Sequence, residues 1–254
     1  MAYEWYIMQS SNLSGFEEGN FNADKSGFDE LLNSFIGTDI EIYGTKISNM
    51  PRTIKAIVQN ETTDNYNNAY ARQILFPLGS IQCGEYIRFD DRWWLVVSLP
   101  DNNRVYEKAI VWYCKYQLNI QSKLNSDILT YPVFVENATK YGTGEEYHNY
   151  MTVGSSQQIV YIPFDEDTIV VDNDYRLLMD RNISKPTAYM VTQVDTTNFA
   201  YGDIGLIRWV ILETSRIETD DVENMVADNT NFFNGTVVAE PNEPLEDLNE
   251  GWWR

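Results

Sequence analysis

Histidine is all but missing from this chain: His148 is the only one in 254 residues. Catalysis through an imidazole base, and metal sites built on several imidazoles, therefore have one residue to draw on. It stands in Glu145-Glu146-Tyr147-His148, and three such close loop neighbours rarely converge on one ion, so a solvated loop histidine is the plainer reading. Cysteine is nearly as scarce. Cys83 and Cys114 match no zinc spacing and no disulfide framework, and both are expected reduced and buried as small apolar side chains. A disulfide is open to them only if their strands pair with the two side chains opposed. Cations are also few, 18 Lys and Arg against 38 Asp and Glu, which leaves a formal charge of −20. That balance argues against a surface built to grip nucleic-acid phosphates, but it suits one past which nucleic acid slides without sticking.

Long apolar runs are absent as well. None approaches the roughly 20 residues needed to span a bilayer, so no membrane association is expected. Met1-Ala2-Tyr3-Glu4-Trp5 lacks a basic region followed by an apolar core, so no secretion signal is expected. The Asn-X-Ser/Thr triplets at Asn12, Asn60, Asn137, Asn182 and Asn234 then carry no weight as glycosylation sites. No Gly-X-Ser-X-Gly elbow and no Gly-rich phosphate loop leading into a helix occurs. Asp165-Glu166-Asp167 with Asp172 and Asp174 looks at first like calcium ligation, but the closing Glu and the alternating Asp order are missing, and an Asp-rich turn is simpler. Carboxylate pairs suited to sugar hydrolysis are bound to occur by chance among 38 acids. The expectation is a protein that is not an enzyme, with no catalytic residue, no metal and no cofactor.

What the chain does have is aromatic residues, 17 Tyr and 7 Trp, set among β-branched ones. Residues 86–98 and 105–114, broken by Asp90-Asp91 and Pro100-Asp101-Asn102-Asn103, read as a meander of antiparallel strands. A related order returns about ninety residues later, in 175–180, 187–194 and 204–212, with a turn at Asp195-Thr196-Thr197-Asn198. Period-two runs at 40–43, 53–59, 72–76, 127–135, 158–163 and 168–171 supply the remaining strands. The reading is therefore mainly β: two small antiparallel β-barrel or sandwich modules, residues 37–120 and 127–217, divided by the polar stretch 119–126. Trp93, Trp94, Trp112 and Trp209 fall in strand centres, where packing is the usual role.

Extended arms flank the modules. Residues 1–36 are polar and acidic, with one short helix expected from Ser26, where Phe28, Leu31, Leu32 and Phe35 recur at helical spacing. Residues 218–254 read as an acidic, solvated C-terminal arm. Its Trp252 and Trp253 depart from that character and are expected to dock on a partner or in a groove. Between two confident strands runs a long polar loop, in which Asn60, Thr62, Asp64, Asn65, Tyr66, Asn67 and Tyr70 are the candidate channel or docking residues. The loop from Tyr141 to Ser156 is the second candidate.

The order Ile54-Lys55-Ala56-Ile57-Val58-Gln59-Asn60, an exposed loop, Gly84-Glu85-Tyr86-Ile87, Trp93-Trp94-Leu95-Val96 and Tyr113-Cys114-Lys115-Tyr116-Gln117-Leu118 resembles the head-completion or stopper proteins of tailed bacteriophages. The likeness is best over residues 38–118 and looser over 127–217. It implies a β-barrel subunit of a ring at the head–tail junction of the virion, made in the host cytoplasm. Such a ring closes the DNA channel after packaging and docks the tail. Implied partners are further copies of the chain in a sixfold or twelvefold ring, portal, neck and tail proteins, and packaged DNA passing through without sequence-specific contact. The second module and the two acidic arms depart from the short members of that family. The rival reading is a glycan-binding tail or surface module, with exposed tryptophans lining a groove.

Overall fold

In the computed structural model, residues 21–60, 70–121, 128–137, 157–180 and 184–235 are described. Strand accounts for 52% of them and helix for 12%, so the fold is mainly β, as the patterning predicts. Helix α1 covers residues 21–33. It is followed by β1 (Gly37–Gly44), β2 (Arg52–Asn60), β3 (Ala71–Phe76), β4 (Tyr86–Phe89), β5 (Arg92–Val96), β6 (Asp101–Asn102) and β7 (Glu107–Tyr113). The second sheet holds β8 (Tyr116–Gln121), β9 (Ile128–Asn137), β10 (Gln157–Pro163), β11 (Arg176–Met179), β12 (Thr187–Asp195), β13 (Ala200–Tyr201) and β14 (Ile204–Thr214). No helix among the described residues is long and apolar enough to cross a membrane.

The two sheets share one topology. In the first, β1-β2-β3-β7-β5-β4 run side by side, and β4 pairs back onto β1 to close a six-stranded barrel. In the second, β8-β9-β10-β14-β12-β11 follow the same path. If each module's main strands are numbered in chain order, both run 1-2-3-6-5-4, and each has a two-residue strand, β6 or β13, paired to its last strand. The meander seen twice in the sequence is strands 4-5-6 of each module. They differ at the seam between strands 4 and 1. Where β1 and β4 form a ladder, β8 and β11 are tied by the Tyr175 hydroxyl, which donates to the Gln121 carbonyl (2.8 Å) and accepts from the Gln121 N–H (3.0 Å).

Alternation builds the first core. Ile40, Ile42, Ile74, Phe76, Ile87, Phe89, Trp94, Val96, Ala109 and Val111 recur at every second position and fill the barrel. The tight β4–β5 turn is the expected Asp90-Asp91, with both residues at positive φ (50° and 56°), the geometry that matches strand twist in a two-residue hairpin. β4 and β5 are buried on their other face too. Tyr86, Leu95 and Val97, with Trp93 beside them, belong to the core that fills the second module, around the fully buried Trp209. The modules are therefore not beads on a linker. The Tyr86 hydroxyl donates to the Pro132 carbonyl (2.6 Å), and Lys46 of the first module pairs with Glu166 (3.4 Å) and Asp167 of the second.

Four expectations are corrected. The change of sheet falls at Cys114-Lys115, not at 119–126: Leu118 and Ile120 are fully buried, so Gln117 and Asn119 are the outward side of strand β8 rather than a linker. Thr168–Val170 is a 3-10 turn rather than a strand, because the Asp165 carboxylate accepts the Asp167 and Thr168 N–H groups (both 2.9 Å) and winds the backbone tight. Helix α1 is already formed at residue 21, ahead of Ser26, and only Phe28 and Leu32 of its four spaced apolar residues are buried.

The largest correction concerns residues 218–235, which are packed rather than solvated. Val226, Ala227 and Phe233 are buried, and Phe233 with Phe232 packs edge-on against Tyr175. Helix α2 (Thr230–Gly235) closes this segment. The Asp220 side chain, wholly buried, takes both guanidinium arms of Arg176 (3.1 and 3.0 Å) and the N–H groups of Ile217 and Asp228. Asn229 exchanges two hydrogen bonds with the backbone of Arg176. An acidic run thus supplies turn formers and one neutralised anchor.

The Asp195 turn gives a pH test. Burial alone would push its carboxyl up, but the Asn198 amide, the Thr197 and Asn198 N–H groups and the Thr197 hydroxyl together bring it down to about 2. Arg208 lies 2.8 Å away on the neighbouring strand. A carboxyl depressed on folding adds stability that is whole above its unfolded value of about 3.9 and is lost as pH falls through the folded value. Asp195→Asn is therefore expected to be less stable than the parent at pH 6. In thermal melts the gap should close between about pH 4 and pH 2.

Candidate docking loops

Each module joins its strands 2 and 3 through its long polar loop, 61–69 in the first and 138–156 in the second, so the two candidate loops are topological equivalents. Thr62, Asp64, Asn65, Tyr66 and Asn67 lie outside the described residues, as do His148, Trp252 and Trp253. The stem of the first loop is in place. Asn60 ends β2 in register with Arg72, and the Tyr70 carbonyl accepts the Tyr113 N–H (2.8 Å).

Tyr70, 37% exposed, is capped by Lys115, whose Nζ lies 3.3 Å from the ring centroid and 5.9 Å from that of Phe134. Phe134 on β9 and Tyr161 on β10 are paired across the hairpin that carries the second loop. Both pack on Trp112, at 4.7 and 5.0 Å between centroids. One aromatic cluster therefore joins the foot of the first loop to the hairpin of the second. A cation on a partly desolvated ring contributes about 0.5–2 kcal/mol, enough to fix the stem without fixing the loop.

The mouth of the first barrel beneath this loop is cationic. Arg72 shares a face with Ile74 and Phe76, and Arg92 shares one with Trp94 and Val96, so both belong to the inward side. Arg72 lies 5.7 Å from the Trp94 ring and Arg92 lies 5.8 Å from the Tyr113 ring. Chemically this floor suits an anionic or aromatic group delivered from above. Sequence reasoning singled out neither arginine. The available signal was parity, since each precedes an inward core residue by two positions.

The other candidates are engaged structurally. Both cysteines are free and buried; burial pushes the Cys83 thiol up to about 12 and the Cys114 thiol in the same direction, which suits neither to nucleophilic work. Asp165 holds its own turn and accepts the Tyr131 hydroxyl (2.9 Å), while Glu166 and Asp167 are taken by Lys46. Among the described residues no group of three or more His, Cys, Asp or Glu side chains is placed to hold a metal ion. Trp94 and Trp209 are buried, and Trp93 and Trp112 are packed against the shared core rather than lining an exposed groove.

No curated protein and no solved structure matches the chain. Residues 6–113 match the family model described as the YomX N-terminal domain, a phage-type family. The match takes in α1 and the whole first barrel, stops at Tyr113, the last residue of β7, and leaves the second barrel unmatched. This likeness points to a phage protein.

Proposed function

We propose that the chain is a structural virion protein at the head–tail junction of a tailed phage, a ring-forming neck or connector subunit that closes the DNA channel and docks the tail. The observation that carries this reading is the pairing of a phage-type match over the first barrel with a second barrel of the same topology. Doubling one scaffold multiplies surface and loops, which serves assembly. In this reading the strand 2–3 loops, set on a shared aromatic base, project into the channel or against the neighbouring ring and gate or dock. A charge of −20 lets DNA slide past the lumen rather than adhere. The protein works without catalytic chemistry, and its partners are its own copies, portal, neck and tail proteins.

Negative-stain microscopy of the purified protein, alone and mixed with the portal protein of the same phage, tests this directly. Rings of sixfold or twelvefold symmetry, or co-purification with the portal, are the expected results. A monomer at every concentration that ignores the portal would overturn the reading. Retention on a glycan array by that monomer would move the protein to a carbohydrate-binding tail module.

A further inference from the structure

We infer that the segment Trp5-Tyr6-Ile7-Met8 seats, within the same chain, in the groove between α1 and the first barrel and completes that barrel's outer layer. The groove has a volume of about 580 Å³, and Phe28, Leu31, Ile36, Ile57, Leu75 and Val105 line it, with Asp24 its one ionisable acid or base besides the Tyr106 phenol. Large apolar side chains crowd its rim: Phe35 is 97% exposed, Leu31 46%, Ile36 42% and Phe21 36%. Contiguous apolar exposure on this scale marks a contact surface rather than a finished one.

Three observations choose the occupant. Trp5-Tyr6-Ile7-Met8 is an unbroken run of large, largely apolar side chains just ahead of α1, suited to an apolar slot with little charge. The dozen or so residues between it and α1 reach up to about 40 Å when extended. The helix itself is only about 20 Å long, so the segment can fold back along it without strain. The family match begins at residue 6 and ends with β7, so this stretch travels with the first barrel and its groove. Trp252 and Trp253 lie outside that match and follow α2 of the other module.

The test reads thiol protection. Leu31→Cys and, separately, Ile36→Cys are made in the full chain and in a chain lacking residues 2–10, and labelling by a maleimide is timed. Met50→Cys, at a position 94% exposed, is the control, and the native thiols are buried. Labelling at positions 31 and 36 is expected to be slower by about tenfold in the full chain, as a segment seated roughly nine-tenths of the time would give. Position 50 should label equally in both. A full chain carrying Trp5→Ser and Ile7→Ser should label like the shortened one, which keeps the test valid if the deletion folds poorly. Equal rates with and without the segment would overturn the inference. Protection that fades on dilution would instead assign the groove to the arm of a second copy. Protection that survives removal of residues 2–10 but is lost on removing residues 250–254 would assign it to the tryptophan pair. None of these outcomes depends on whether the protein forms rings.

Discussion

Asp220→Ala is expected to lower stability by roughly 3–5 kcal/mol, the range seen when one partner of a buried ion pair is removed. The carboxylate is wholly buried, while the Arg176 side chain it faces is 15% exposed and has no means of discharging itself. Removing it strands that guanidinium and leaves the Ile217 and Asp228 N–H groups without their acceptor. The loss should centre on residues 215–235, with hydrogen exchange rising there and along β11 first. For a chain of this size the melting temperature should fall by about 10 °C. Asp220→Asn keeps the shape and one acceptor oxygen and should recover part of the loss. A melting temperature within a degree or two of the parent would mean that this segment is held by Phe232 and Phe233 alone.

Gly84→Ala should be comparably severe for a steric reason. Gly84 sits at φ +88°, and a Cβ there would lie 2.3 Å from the carbonyl oxygen of Gly205 in the second module. That oxygen is already committed to the Phe164 N–H at 3.0 Å, so it has little room to retreat. Left-handed strain of about 1–2 kcal/mol adds to an overpacking cost of about 1–3 kcal/mol. Gly79→Ala is the internal control. Its φ is +70° but nothing lies within 4 Å of the added carbon, so it should show the backbone penalty alone. The difference between the two variants in urea unfolding measures how tightly the modules are pressed together. Equal losses would mean that they part easily.

The strands were legible because alternation is a local signal, and at Ile40-Glu41-Ile42 or Asp90-Asp91 nothing in the tertiary structure contradicts it. Closure of the first sheet through β1 and β4 was not legible, since a pairing across that many residues leaves no trace in local periodicity. The shared topology was half visible: the meander repeats in the sequence, but the order of the remaining strands emerges only in space. Residues 218–235 misled because Asp220 looks like any solvated acid until Arg176, far away in sequence, is brought against it. The stem of the first loop was read at Tyr70, but its capping cation, Lys115, sits on another strand connection and stood in the sequence as one basic residue among several.

The two-faced β4–β5 hairpin constrains what else this architecture can become. A chain ending at Tyr113, where the family match ends, would present Tyr86, Leu95 and Val97 to water as a bare greasy wall. Single-barrel forms of the domain must then either carry polar side chains at those three positions or press the wall against some other surface. The residue at position 95 becomes a readable marker of history, apolar where a second barrel or a stand-in leans on it and hydrophilic where the first barrel lives alone.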